Sequence, residues 1–423
     1  MTAPSGAAKN NRKNGDVVNQ LTENKTVAKG MLMVFFALAS FQNVQLIYFS
    51  QMSMSLKPVH VFSVLFLPLL LLRKQLRVNQ FVLGYVGLTA LVSAANASQF
   101  GLNGLMLNYM FGLYVVVILT NCGKALSAEE WADMICRVAS VLMVLVWIKG
   151  VMQYRDFIWY FENPDKGHPV IWTFIGGGVN LESTWLGIFA FFFYKKGGWK
   201  WLYAGANLAV SFLYGSRCGM IVAGLAILWL LIPELPRLKE RKIRWAMLAG
   251  LALILIVLWA TGLFEPLIGR SLRRFLSRGT DPGDIGRIKM WQYALQTILH
   301  YPLGCGAGNC IAAIVRVSGV PSGESNLHNV YMQSFIDFGW LGGVSYLLLN
   351  LRLFWNGRKE LLTNPFLAAL FAYAVTALFQ FRGGDTLTFF VLAMYLAVRD
   401  GDGKPKKTEL LLKNPFFRKG NAV

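Results

Sequence analysis

RWAMLAGLALILIVLWATGLF (residues 244–264) runs directly into EPLIGRSLRRFLSRGTDPGDIGRIK (265–289). After Arg244 the first stretch is uncharged, and it has the length of the roughly 20 apolar residues that cross a bilayer as a helix. The second carries Arg270, Arg273, Arg274, Arg278, Arg287 and Lys289. A chain that passes from one to the other leaves a membrane and enters a basic loop. That loop, with Arg316 further along, is the longest interval between strongly apolar segments, and the rest of the chain is organised around it.

Outward from this point the pattern repeats. Of 423 residues, 55% are hydrophobic and only 15% charged, against about 25% in an ordinary soluble protein. The mean hydropathy is +0.46. Twelve spans are expected, at 31–50, 58–73, 80–98, 105–121, 130–152, 181–194, 200–215, 217–233, 244–264, 329–352, 364–381 and 385–399. The expected class is an all-α polytopic membrane protein. It divides into a disordered basic tail (1–30), nine spans (31–264), a large loop (265–328), three further spans (329–399) and a second basic tail (400–423). The polar first thirty residues read as no cleavable signal peptide, and no internal repeat stands out. A net charge of +20 would suggest nucleic acid in a soluble chain. Here the basic residues sit in short loops, where they set topology and meet lipid headgroups, so no nucleic-acid partner is expected. Cys122, Cys136, Cys218, Cys305 and Cys310 form no metal-type cluster; Cys305 and Cys310 share a loop, so a disulfide between them stays open, with two incidental thiols the favoured reading.

With the N-terminus in the cytoplasm, RKQLR (73–77), YKKGGWK (194–200), RLKERKIR (237–244), NLRLFWNGRKE (350–360) and the C-terminal tail all fall inside, as the positive-inside rule asks. Both ends are then cytoplasmic. The 154–180 loop, the YGSRCG turn (214–219), the 265–328 loop and FRGGD (381–385) fall outside. Arginine accumulates there, at Arg217, Arg270, Arg273, Arg274, Arg278, Arg287 and Arg382, where insertion disfavours it, so function is the better account. In the long loop, PLIGRSLRRFLSRG reads as an interfacial amphipathic helix and DPGD as a turn. GRIKMWQYALQTILHYP reads as a second helix, starting after Gly286, with Ile288, Trp291 and Leu295 on one face. Ser325 or Asn326 is expected to cap the next helix, with His328 in its first turn.

Arg217, in a one-turn hairpin between apolar runs, offers a planar fork of donors suited to phosphate oxygens, although snorkelling to the interface is the plain alternative. Arg287 gains weight from its company in the same loop. Of the four histidines, His328 is the one placed at a helix start beneath a basic loop, and imidazole is the side chain best suited to take a proton near neutral pH. Arg382 and Asp385 read equally well as an ion pair capping the last span. The outer acids include Glu162/Asp165 and Asp281/Asp284, but neither pair makes a convincing Mg²⁺ site. No metal and no cofactor are expected.

The order Arg287, Trp291, then P-x-G-x-G in HYPLGCGAGN, then His328-Asn329, then a glycine entry into the next span resembles the O-antigen ligase / O-antigen polymerase superfamily of bacterial inner-membrane proteins. The YGSRCG turn is similar to the family's Ser-Arg-x-Gly segment. The resemblance covers 211–343 and the remainder by architecture, and it implies a GT-C-like helical fold. It further implies an undecaprenyl-pyrophosphate-linked glycan as donor and the lipid A–core as acceptor, in an inverting, metal-independent reaction at the periplasmic face. His328 would then be catalytic and Arg217 and Arg287 would hold the pyrophosphate. Asn180, Asn329, Arg382 and Asp385 are candidates for further substrate contacts. FRGGDT departs from the ligase pattern and leaves a polymerase open. A transporter for the same lipid would instead spread charges along a path through the bundle, and a lipid-binding scaffold would tolerate loss of His328.

Overall fold

Asn and Ser side chains cap six of the described helices, and they do so locally. The computed structural model describes residues 25–50, 54–73, 75–163, 171–234, 256, 260, 282–381, 383–399 and 409–413. Helix α1 is Lys25–Ser40, α2 Pro58–Ser63, α3 Phe66–Leu71, α4 Gln80–Ala95, α5 Ala97–Phe100, α6 Gly104–Cys122, α7 Ala128–Met152 and α8 Tyr154–Glu162. Then come α9 Val179–Ala190, α10 Trp199–Leu213, α11 Arg217–Leu231, α12 Pro282–His300, α13 Cys310–Ser318, α14 Val330–Gly357, α15 Pro365–Thr376 and α16 Thr386–Arg399. Asn103 Oδ1 accepts the Leu105 N–H at 2.9 Å to start α6. Ser127 and Glu130 form a reciprocal capping box at α7. Asn364 caps α15 ahead of Pro365, whose missing N–H costs nothing at that position.

The chain is overwhelmingly helical, as a membrane bundle requires. Among the described residues three helices are long and apolar enough to cross a bilayer: Gly104–Cys122, Ala128–Met152 and Arg217–Glu234, the last including a terminal 3-10 turn. Pro58–Leu71, Gln80–Ala95, Pro365–Thr376 and Thr386–Arg399 are shorter apolar segments. On α7, Val141, Val144, Ile148 and Val151 are exposed at helical spacing while Leu142, Met143 and Val146 are buried. That outward apolar face suits lipid.

Two expectations need correcting. The fold is not purely helical, since short strands Ile47–Phe49 and Met54–Leu56 pair antiparallel, as do Gln75–Asn79 and Glu409–Lys413. The first span was expected over 31–50, but α1 ends at Ser40, and the continuing apolar run contains the strand Ile47–Phe49, rich in the aromatic and β-branched residues strands favour. The second strand pair lays the C-terminal segment beside 75–79, so those two regions share one face of the molecule. The expected span 244–264 and the amphipathic helix of 266–279 lie outside the described residues apart from residues 256 and 260.

Between lipid-soaked helices the hydrophobic effect supplies little, and close packing does the holding. Phe36 meets Phe189 of α9 at 5.7 Å and Phe390 of α16 at 5.6 Å between ring centroids. Gly187 and Gly219 let α9 and α11 approach: a methyl on Gly219 would come within 2.4 Å of Ser183 Oγ.

Candidate functional site

His328 lies just before its helix, not in the first turn. Asn329 is the cap, its Oδ1 accepting the Met332 N–H at 3.0 Å, and α14 starts at Val330. Of the two expected caps, Asn326 turns its Oδ1 to the His328 N–H instead, at 2.9 Å. His328 takes φ +54°, the one positive φ at a non-glycine among the described residues. This left-handed conformation costs about 1–2 kcal/mol and persists only where the surroundings impose it. Nδ1 faces the Gln380 carbonyl at 3.4 Å and Nε2 faces Glu324 Oε2 at 3.2 Å. A carbonyl and a carboxylate both only accept, so a ring nitrogen bonded to either must carry a proton; with Nδ1 protonated toward Gln380, Nε2 is free to react only when Glu324 is turned away. The imidazole is 18% exposed and Glu324, on the open loop, 57%.

Arg287 arrives on α12. This helix begins at Pro282, earlier than the expected start after Gly286, so the residues read as a DPGD turn contribute its first turn from Pro282 onward. Its packed face is also different from the expected one. Ala294 and Ile298 are buried with Cys305, Ile314, Leu327 and Ile336, whereas Ile288 and Leu295 are exposed. Trp291, one turn after Arg287, donates Nε1–H to the Leu327 carbonyl at 3.1 Å and tilts against Phe379. Through that bond the helix that carries Arg287 holds the backbone just before His328, and through the Trp291 ring it packs on Phe379, next to Gln380.

Arg217 opens α11 behind the cap Ser216, whose Oγ accepts the Gly219 N–H at 3.1 Å. The next residue, Cys218, is buried, and its sulfur feels the guanidinium charges of both Arg287 and Arg217. The structure thus brings Arg217 and Arg287 to a shared neighbour, and links Arg287 to His328 through Trp291 and Leu327. Both guanidiniums are half-buried, a setting in which charge-assisted hydrogen bonds to an anion are strong.

The glycine motif is a structural clamp beside this site. Cys305 N–H and Gly306 N–H donate to the carbonyls of Ile336 and Asp337 at 3.0 and 2.8 Å, and Trp340 N–H to that of Pro302 at 2.9 Å. These bonds dock the loop on a kink in α14 at Gly339, where φ is +68°. A methyl on Gly304, itself at φ +86°, would sit 2.5 Å from the Gly339 nitrogen. The Asp337 carboxylate, 1% exposed, accepts Gly308 N–H at 2.9 Å and Gln333 Nε2–H at 3.1 Å. Cys305 and Cys310 are buried free thiols beside it, and burial pushes both well above the ordinary thiol range.

The remaining candidates divide. Asn180 is half-buried at the N-terminal end of α9, its carbonyl accepting the Thr184 hydroxyl at 2.6 Å. The side chain of Asn329 is engaged as a cap. Asp385 accepts the Tyr373 hydroxyl at 2.8 Å and lines a cavity of 240 Å³ with Tyr109, Tyr346 and Thr388. Arg382, and with it the expected Arg382–Asp385 pair, lies outside the described residues. Gly383 packs at Val330 and the Tyr109 hydroxyl, which brings the FRGGD segment beside the start of α14. Among the described residues no three His, Cys, Asp or Glu side chains gather as a metal would need. Sequence reading passed over Lys149 and Asp337, and it counted Glu182 and Glu324 only among the outer acids. A lysine in the apolar run WIKGVM and an aspartate in FIDFGW were the available signals. Glu182 is fully buried and paired with Lys149.

The structure is that of a helical membrane protein in which two arginines and a histidine come from three separate segments. Residues 202–347, which include Arg217, Arg287 and His328, match the family model described as O-antigen ligase. The family comprises glycosyltransferase-like enzymes of O-antigen pathways, ligases and related polymerases, with lipid-linked glycan substrates. No curated protein matches the chain.

Proposed function

We propose that this protein transfers O-antigen polysaccharide from undecaprenyl pyrophosphate to the lipid A–core, at the periplasmic face of a bacterial inner membrane, with inversion and without a metal ion. The observation that carries the reading is that Arg217 and Arg287 both lie within electrostatic reach of Cys218, with Trp291 tying the Arg287 helix to the Leu327 carbonyl, next to His328. The acceptor hydroxyl oxygen attacks the anomeric carbon. The bond from that carbon to the pyrophosphate oxygen breaks, and its electron pair leaves with the pyrophosphate. Pyrophosphate is already a good leaving group, so stabilising its growing charge is the main demand, and Arg217 and Arg287 supply that. His328 Nε2 takes the hydroxyl proton, while the Gln380 carbonyl keeps the other proton on Nδ1. The exposed Glu324 swings aside to admit the hydroxyl.

A second reading, joining of lipid-linked repeat units by a polymerase, is favoured by one observation. The FRGGD segment, which departs from the ligase pattern, packs through Gly383 against Val330, two residues from His328.

The test is glycan transfer by purified protein in detergent with EDTA, given a lipid-pyrophosphate-linked glycan and deep-rough lipopolysaccharide. His328→Asn and Arg287→Ala run alongside. Asn tolerates the left-handed backbone of His328, so its failure reports loss of the imidazole rather than of the fold. Transfer to lipopolysaccharide, lost in both variants, is the expected result. Chain growth on the lipid carrier would make the protein a polymerase. No product of either kind, with both substrates bound, would leave a transporter.

A further inference from the structure

We propose that Glu182 is a positioning residue for the pyrophosphate clamp, setting the place of Arg217 and of the 171–178 segment beside it. The proposal rests on the transfer reading above. Glu182 is fully buried, and donors from three other segments converge on its carboxylate. Lys149 of α7 pairs with Oε1. The Tyr214 hydroxyl donates to Oε1 at 2.7 Å. The N–H groups of Phe174 and Ile175 donate to Oε2 at 2.5 and 3.3 Å. The Lys149 ammonium also lies 5.2 Å from the Phe174 ring centroid and 5.4 Å from that of Tyr214, which closes the cage.

The cage bears on Arg217 through a short path. Tyr214 leads into Gly215 at φ +59°, then Ser216, whose N–H donates to the Ser211 carbonyl at 2.9 Å, then Arg217. On the far side Gly219 packs on Ser183, the residue after Glu182. Helix α9 therefore holds the chain on both sides of Arg217. The same carboxylate fixes the segment from which Asn180 follows, and Thr173 in that segment is tied to Asn43 at 2.7 Å.

An ion pair buried in a helix bundle is a poor device for stability, since apolar side chains of similar volume often serve as well or better. Charged groups in such places mark function, and this pair sits under the turn that bears the phosphate-binding arginine. A clamp displaced by an ångström loses much of its grip on the transition state and on the donor.

Tyr214→Phe removes one hydroxyl and leaves the ion pair in place. Lys149→Met combined with Glu182→Gln removes both charges without stranding either. Undecaprenyl pyrophosphate in detergent is titrated by tryptophan fluorescence, donor and acceptor KM are measured separately, and thermal unfolding is recorded. The expected result is folded protein with donor Kd and KM raised on the order of tenfold, acceptor KM unchanged. A role in folding alone would lower the unfolding temperature and leave donor affinity intact. Unchanged donor affinity in folded Tyr214→Phe overturns the proposal while leaving the transfer reading untouched. Failure of the unaltered protein to bind the probe would overturn the transfer reading, and this proposal with it.

Discussion

Trp291 donates its indole N–H to the carbonyl of Leu327 at 3.1 Å. That bond joins the helix bearing Arg287 to the residue before His328, and it spans 36 positions of sequence. It explains physically why an arginine followed one turn later by tryptophan belongs to this site. Residues i and i+4 share a helix face, so Arg287 and Trp291 lie on the same side of α12.

Trp291→Phe is the test of that bond. Phenylalanine keeps the contact with Phe379 and loses only the donor. A lost hydrogen bond of this kind costs about 1 kcal/mol of stability, which a well-folded protein absorbs. The effect on transfer should be larger, about 10- to 100-fold, because His328 and Arg287 lose their fixed spacing. Transfer assays on Trp291→Phe that has kept its elution volume on gel filtration would show this. Unimpaired transfer would separate Trp291 from the site.

The glycine clamp yields a prediction of the opposite kind. Gly304 and Gly339 both hold positive φ, and a methyl on either would collide with the other's backbone. Each substitution to alanine carries the left-handed penalty and a steric clash that no flexible side chain can relieve. Gly304→Ala and Gly339→Ala should each destabilise by about 2–4 kcal/mol and give poorly recoverable protein. Thermal unfolding in detergent reads this directly. Stability equal to the parent in either variant would contradict the close approach.

The thiols of Cys305 and Cys310 carry a pH signature. Burial raises both above the ordinary range. A thiol whose folded value exceeds its unfolded one, about 8.5, contributes stability that is fully present below the unfolded value and is lost as pH rises toward the folded value. Stability should therefore fall above about pH 8.5, and less steeply when both cysteines are replaced by alanine. At pH 7 maleimide should label neither thiol until the protein is denatured. Mass spectrometry of the labelled, folded protein is the measurement. Rapid labelling, or a mass lower by a lost pair of hydrogens, would refute free buried thiols.

Much of the fold is legible in the sequence because its signals are local. Asn103, Ser127 with Glu130, and Asn364 with Pro365 each cap the helix that follows. The YGSRCG turn falls between α10 and α11 as its composition suggests. What was misread depends on partners distant in sequence. SNLHN offers several residues that cap equally well, and the tie of Leu327 to Trp291 and of His328 to Gln380 decides among them. Helix α12 is apolar on two faces, one packed on protein and one exposed, so periodicity alone could not say which was which. Lys149 and Glu182 lie 33 residues apart, and neither announces the other.

Asp337 gives the last prediction. Its carboxylate is buried beneath the glycine loop and receives the Gly308 N–H and the Gln333 amide. Asp337→Asn keeps the shape, and since both donors go to Oδ2 its amide oxygen can still accept both, while the amide nitrogen takes the place of Oδ1 and faces the Cys305 thiol. That nitrogen is a donor brought where an acceptor stood in a buried site, which costs about 1–3 kcal/mol. Asp337→Ala strands both donors and opens a cavity, and should cost more, about 3–5 kcal/mol. The ordering Asp337→Ala below Asp337→Asn below the parent is the specific expectation. Thermal unfolding of the three proteins side by side checks it. Since the loop docks on the helix that begins beside His328, transfer should fall in the same order. A stable but inactive Asp337→Asn would instead mean that the carboxylate takes part in the reaction.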